Sequence, residues 1–317
     1  MMKVVVIGGC GHIGSYLVPK LVKAGFNVFN ISRGKSKPYT SDYAWNEVTN
    51  VILDRSNDEA FAEKIAAMEA DIIIDLINFT LEDTKQMVEA LQNTRLSHYL
   101  FCSSIWAHGR AEMLPVMEDC VKNPICEYGI EKYKCEQFLQ EQYRVNGFPA
   151  TTVMPGQISG PGWNIISPLG NVNPDIFQTI ADGKEIFLPN LGMETLHHVH
   201  ADDVAQVFLN AITHRNQALG ESFHAVAADS MTIYGYAKAM YRFFGQEPKI
   251  SFLPWDKWCE HVEKEDDINS SYYHLARSGQ FSIEKGKRLI EYQPRYTTLE
   301  TVEESIKNYM ERNLVIN

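Results

Sequence analysis

The run Val4-Val5-Val6-Ile7 ends directly in Gly8-Gly9-Cys10-Gly11-His12-Ile13-Gly14, and helical spacing follows. Four consecutive β-branched residues, too few for a core helix, read as a buried parallel strand. A strand that turns through G-x-x-G-x-x-G into a helix is the opening βα unit of a doubly wound sheet, and few other folds accommodate it. Gly8 permits the tight turn, Gly11 lets backbone approach a phosphate, and Gly14 lets the helix pack close to the strand. The free N–H groups that open the helix, at His12 and Ile13, face an anion with the helix's partial positive charge behind them. Gly8, Gly11, His12, Ile13 and Gly14 are therefore the expected pyrophosphate site of a dinucleotide.

Strand and helix signals then alternate, as in a parallel sheet covered on both faces. Strands are expected at 27–31, 48–53, 71–77, 98–102 and 150–154, and helices at 13–24, 58–68, 81–92 and 128–143. Pro19 lies inside the first helix and is expected to bend it, and Gly25 closes it. Beyond Pro155 the texture changes. Gly156, Gly160, Pro161, Gly162, Pro168, Gly170 and Pro174 mark an irregular segment over which a substrate can lie. Helices near 175–182, 201–213 and 232–244, strands near 186–188 and 223–226, and a mostly helical tail over 282–314 complete the chain. The fold class is α/β: residues 1–160 form the dinucleotide-binding domain, and 161–317 form mainly a smaller, interleaved C-terminal substrate lobe. Elements near 195–226 return to the first domain, and the cleft between the two is the ligand site.

Composition narrows the function. Of 317 residues, 45% are hydrophobic and 22% charged, the proportions of an ordinary globular protein. The net charge of −11 disfavours general nucleic-acid binding. No stretch approaches the ~20 apolar residues of a membrane span. The chain enters its first strand straight after Met1-Met2-Lys3, so no signal peptide and a cytoplasmic location are expected. The six cysteines lack C-x-x-C spacing and read as reduced thiols.

Tyr128-Gly129-Ile130-Glu131-Lys132 sets a phenol and an ammonium one turn apart on one helix face. A nearby ammonium and a positive nicotinamide ring favour the phenolate and lower its pKa from the usual ~10. Tyr128 can then exchange a proton with a substrate hydroxyl while hydride moves to or from the cofactor. Tyr16/Lys20 and Tyr234/Lys238 repeat the spacing, so context must choose. Tyr128 follows the strand that ends in Cys102-Ser103-Ser104, where Ser104 can hydrogen-bond the same substrate oxygen.

Together these residues resemble the extended short-chain dehydrogenase/reductase family, which includes nucleoside-diphosphate-sugar epimerases and dehydratases. The likeness runs through Gly8-x-x-Gly11-x-x-Gly14, Ser103-Ser104 to Gly109, Tyr128-Gly-x-x-Lys132, Pro155-Gly-x-x-Ser159-Gly-Pro161 and His200-Ala-Asp-Asp203-Val-Ala205. It implies a Rossmann-type fold and a triad of Ser104, Tyr128 and Lys132. It also implies Lys132 on the nicotinamide ribose, Pro155 in the cofactor site, and a homodimer formed through the helices near 81–92 and 128–144.

Departures from the family pattern refine this. Where NAD-preferring members carry Asp at the end of strand two, this chain has Ser32 followed by Arg33-Gly34-Lys35-Ser36-Lys37. That favours a 2′-phosphate, hence NADP, with NAD as the alternative. Asp54 is the expected neighbour of the adenine amino group. Ser104-Ile105-Trp106 replaces the Thr-Asp-Glu of 4,6-dehydratases, and Leu196 stands where epimerases carry an arginine for the diphosphate. The expected substrate is a carbohydrate, with or without a nucleotide. Trp163, Asn164, Asn173 and His198 are its candidate contacts. His197, His198 and His200 invite a metal, but no carboxylate or thiol completes a site, so none is expected.

Two functions follow. The first is NADP-linked oxidation, reduction or epimerisation at a carbohydrate carbon. The second is a catalytically idle RNA-binding or regulatory protein, since Asn30–Lys35, Ile186–Pro189 and the His-Val-His segment are similar to the chloroplast stem-loop RNA-binding branch. That branch has lost the Tyr-x-x-x-Lys pair, which this chain keeps.

Overall fold

The computed structural model describes residues 1–312. The first half of the chain alternates strand and helix: β1 (Lys3–Ile7), α1 (His12–Lys23), β2 (Asn27–Ser32), β3 (Thr49–Ile52), α2 (Phe61–Ala66), β4 (Ile72–Asp75), α3 (Leu81–Leu91), β5 (His98–Cys102), α4 (Glu127–Asn146) and β6 (Ala150–Pro155). The second half begins with β7 (Gln157–Ser159), α5 (Asp175–Ala181), β8 (Ile186–Pro189), β9 (Thr195–Leu196), β10 (His198–His200), α6 (Ala201–Thr213) and α7 (Arg215–Ala218). It ends with β11 (Ser222–Ala225), β12 (Met231–Thr232), α8 (Ile233–Phe243), β13 (Ile250–Leu253), α9 (Trp255–Val262), α10 (Glu265–Leu275), α11 (Glu284–Ile290) and α12 (Thr298–Glu311).

Seven strands form one parallel sheet in the order β11-β6-β5-β4-β1-β2-β3. Successive side chains of a strand point to opposite faces, and the apolar runs divide accordingly. Val4, Val6, Ile72, Ile74 and Leu100 join Leu17 and Leu21 of α1 and Val204, Phe208 and Ala211 of α6. Val5, Ile7, Ile73, Tyr99 and Phe101 turn the other way, onto α2, α3 and α4 through Phe61, Met87, Val88, Cys135 and Leu139. Covered on both faces, these strands need no polar alternation. The result is the Rossmann-type doubly wound sheet. Strand order reverses between β1 and β4, which opens a crevice at their carboxyl ends.

Pro19 does not end α1. Proline lacks the N–H that would reach the Ser15 carbonyl. The Thr40 hydroxyl donates to that carbonyl instead, at 3.1 Å, and α1 runs on to Lys23.

A third core, around Phe177, Leu188, Tyr236, Met240, Val302 and Ile306, belongs to the C-terminal lobe. The helix expected over 58–68 contracts to α2, because Asp54 and Asp58 hold the preceding residues in turns. The expected helical tail divides into α11 and α12, parted where Glu291 adopts φ +54°. Its expected end at Leu314 lies outside the described residues. Among the described residues no helix is long and apolar enough to cross a membrane.

Candidate active site

The crevice begins at the glycine loop. Gly8 has φ +90°, a region that L side chains rarely enter. Its N–H donates to the Ile31 carbonyl at 2.9 Å, and its own carbonyl accepts from Gly11 N–H at 3.0 Å. A Cβ on Gly14 would overlap the Gly9 carbonyl, so only glycine lets α1 start this close to β1. Gly11 is the N-cap of α1 and supplies no capping side chain, which leaves the first N–H groups available. The adjoining cavity, about 460 Å³, is walled by Gly8, Gly11, Ser32, Arg33, Lys35 and Asp54, with Ile77 and Phe79 opposite. Asp54 accepts from Ser56 N–H and the Asn57 amide, which fixes its carboxylate at the wall and holds its pKa below the usual range. Beneath the cavity Arg55 pairs with buried Asp75 at 2.5 Å and donates to the Ile77 carbonyl at 3.1 Å.

Ser104, Tyr128 and Lys132 meet at the carboxyl end of β5. A Cβ on Gly129 would collide with the Trp106 carbonyl, so glycine lets α4 sit against the 105–107 turn and brings Tyr128 beside Ser104. Tyr128 is 39% exposed. Its hydroxyl end is enclosed, and that burial, with Cys102 nearby, raises its pKa while a hydrogen bond from Ser104 opposes the rise. Lys132 is 1% exposed and donates to the carbonyls of Asn78 and Cys102, each at 2.6 Å. Its Nζ lies 5.7 Å from the centre of the Tyr128 ring. Burial lowers its pKa. In the protein by itself the ammonium is anchored on backbone carbonyls and desolvation of the phenol prevails.

Four neighbours of this cluster escaped the sequence reading. Phe79 lies with its ring 6.4 Å from that of Tyr128 and 4.6 Å from Lys132 Nζ. The Asn78 side-chain nitrogen is buried without a partner. Trp106 packs edge-on against Tyr128 at 5.7 Å. Arg277, just past α10, is 2% exposed, and its guanidinium lies 3.3 Å from the Trp106 ring centre. Among the described residues its Nε and Nη2 have no hydrogen-bond partner. Burial lowers its pKa to about 10, so it stays charged at neutral pH. The one sequence signal for Asn78 and Phe79 is that they follow a buried strand next to the reversal point of the sheet. Arg277 has no local signal.

The proposed substrate contacts separate. His198 is fully buried, its Nδ1 2.8 Å from Ser159 Oγ, so it does not line the cleft. Asn173 donates to Asp267 at 2.9 Å and its carbonyl accepts from Asp175 N–H, which commits it to the lobe. Trp163 stacks on His12 at 5.0 Å and 8°, behind the glycine loop. Asn164 lines a separate small cavity against α12, with Ser305 and Tyr309. The irregular 160–174 segment packs on α1, α10 and α12 through Trp163, Asn173 and Asn164, and His198 is enclosed separately in β10. His197 and His200 are also absorbed, by the Ala227 carbonyl and by Asp202 N–H. Leu196 lies in the lobe core. Pro155 ends β6, fully embedded in the sheet.

Comparison with known proteins agrees with this fold. The chain is 27% identical to the chloroplast stem-loop binding protein of 41 kDa b of Arabidopsis thaliana, over 96% of this chain and 78% of that protein. It is 27% identical to a UDP-glucose 4-epimerase of Lactobacillus helveticus, over 50% of this chain and about half of that enzyme (52%). The crystal structure of UDP-glucuronic acid 4-epimerase from Bacillus cereus, in complex with UDP-glucuronic acid and NAD, superposes with a TM-score of 0.74 at 16% identity, covering 98% of this chain and 100% of that one. The family model for NAD dependent epimerase/dehydratase matches residues 4–225. The chain belongs to the NAD-dependent epimerase/dehydratase family.

Proposed function

We propose that this protein is an NAD(P)-dependent oxidoreductase or epimerase acting at a hydroxyl-bearing carbon of an anionic carbohydrate. The observation that carries the reading is the convergence of Ser104, Tyr128 and Lys132 beside a glycine loop with no room for a Cβ at Gly14. The residues present fit a nicotinamide dinucleotide. The N–H groups from His12 to Gly14 would face its pyrophosphate, Asp54 would stand at the adenosine end, and the unpartnered Asn78 amide lies near Lys132. Lys132 would border its nicotinamide end, with Pro155 its expected neighbour from the end of β6. When bound, that group supplies the hydride donor or acceptor and, oxidised, a positive charge beside the phenol. Tyr128 rests as the neutral phenol and gives its proton to a substrate oxygen held between it and Ser104. In the oxidising direction it takes that proton instead.

Arg33 and Lys35 line the adenosine end together with Ser32 and Ser36, and no acidic residue stands at the end of β2. These support NADP over NAD. Arg277 supports an anionic group on the substrate, since a buried guanidinium with two unpartnered nitrogens calls for an oxygen ligand. The relatives that act on UDP-sugars supply a candidate class. A homodimer through α3 and α4 belongs to the same proposal, and its mass by light scattering tests it.

The likeness to a stem-loop binding protein over nearly the whole chain favours a second reading, RNA binding. The net charge of −11 and the Tyr128/Lys132 pair weigh against it. The ligand content of the purified protein, read by native mass spectrometry, tests the first reading. Retained oxidised cofactor indicates an epimerase, and freely exchanging cofactor a dehydrogenase or reductase. Salt-sensitive RNA binding with no cofactor affinity contradicts the first reading and supports the second.

A further inference from the structure

Beside Trp106 the Arg277 Nη1 donates to Cys126 Sγ at 3.7 Å. The other two guanidinium nitrogens have no acceptor although the residue is 2% exposed. A buried donor left without an acceptor is destabilising, and more so when charged. Trp106 and Tyr273 offer only ring faces to it. Cys126 is half-buried and unpaired. It is the N-cap of α4, a helix of 20 residues, yet its side chain caps nothing. Two electropositive groups thus converge on one reachable sulfur, a guanidinium N–H and the start of a long helix. Both stabilise the negative charge that sulfur develops as it attacks an electrophile.

The other thiols near the site are differently placed. Cys102 and Cys135 are buried, and burial pushes each up to about 11. Cys10 lies against the Asn30 amide at 3.2 Å. Neither a guanidinium nor a helix start faces Cys120 or Cys259, the remaining half-buried pair.

We infer that Cys126 is a peroxide-reactive modification site, and that the oxygen it gains occupies Arg277 in place of the substrate's anionic group. The second half of this rests on the anion reading of Arg277 given above. In the reaction the thiol sulfur forms an S–O bond as the peroxide O–O bond breaks. The sulfur is oxidised by two electrons to a sulfenic acid, and the second peroxide oxygen leaves as water with the thiol proton. The new oxygen sits beside the free edge of the guanidinium, so modified Cys126 and bound substrate exclude one another.

The test uses the full chain with its cofactor, hydrogen peroxide, and dimedone to trap sulfenic acid, followed by peptide mass mapping. Cys126 is expected to be labelled at least tenfold faster than Cys120 and Cys259. Arg277→Met is expected to bring it to their rate, and Arg277→Lys to keep part of the advantage. Should Arg277→Met fail to fold, iodoacetamide labelling of the unaltered protein ranks the same three thiols without a substitution. Cys126 reacting no faster than Cys120 and Cys259 overturns the proposal. UDP or pyrophosphate is expected to slow Cys126 labelling at least fivefold. Fast, Arg277-dependent labelling that neither probe slows keeps the thiol site and removes the anion reading of Arg277.

Discussion

The Arg277 guanidinium carbon lies over the Trp106 ring, 3.3 Å from its centre, with two of the guanidinium nitrogens unpartnered among the described residues. A cation–π contact is worth about 0.5–2 kcal/mol, too little to replace the hydration of a buried charge. The remainder of the compensation is left to a ligand. Arg277→Met is therefore expected to weaken binding of UDP or pyrophosphate by about 10–100-fold, the scale of a lost charge-assisted bond. Cofactor affinity should stay within about twofold. Trp106→Leu should weaken the same probes less, and Trp106→Phe least. Calorimetric titration checks the series, and equal affinity in Arg277→Met contradicts the assignment.

Arg33 and Lys35 line the glycine-loop cavity beside Ser32, and we assign them to the 2′-phosphate of the proposed NADP. Arg33→Ala is expected to weaken NADP by about tenfold and NAD by less than twofold, since only the phosphate distinguishes the two. Ser32→Asp should reverse the preference by repelling the phosphate. Fluorescence titration with both cofactors measures the ratio. An unchanged ratio in Arg33→Ala removes the 2′-phosphate argument.

Burial lowers His98, His198 and His224 to about 3 and His108 to about 2, and none of the four is more than 3% exposed. Each stays neutral in the fold, whereas the unfolded chain takes up a proton below about 6.5. Their contribution is full above pH 6.5 and is lost as pH falls from there towards the folded values. The slope is about 1.4 kcal/mol per histidine per pH unit, so at pH 5.0 the four together remove about 8 kcal/mol, comparable to a whole domain's stability. The melting temperature is expected to fall by more than about 10 °C between pH 7.5 and 5.0. A flat profile over that window contradicts their neutral burial.

How much of this was readable in advance follows from how local each signal is. The glycine loop and the central strands are legible because a turn and a covered strand each write their requirement into consecutive residues. Val4 to Ile7 and Gly8 to Gly14 needed no tertiary information. Tyr128 and Lys132 are legible as a spacing, but the Lys132 contacts are not, because its acceptors at Asn78 and Cys102 come from two other strand ends. Arg277 was invisible for the same reason: nothing in Ala276-Arg277-Ser278 predicts burial against Trp106. The stretch holding β13, α9 and α10 went unassigned, although Glu265, Asp266 and Asp267 in the first turn of α10 were a readable helix start. His198 and Asn173 failed as contacts because a strand-like or turn-like polar residue gives no sign of which neighbour will take its hydrogen bonds.

The central claim is that Tyr128 moves the proton in a cofactor-dependent reaction on an anionic carbohydrate. Its most direct test is product formation from a panel of UDP-sugars and sugar phosphates, followed by NMR, with unaltered protein and Tyr128→Phe both loaded with NADP. The account predicts an oxidised, reduced or epimerised product with the unaltered protein. It predicts at least 100-fold slower formation with Tyr128→Phe, whose cofactor affinity should be unchanged. Equal rates in the two proteins, or no product from any member of the panel despite bound cofactor, would contradict it.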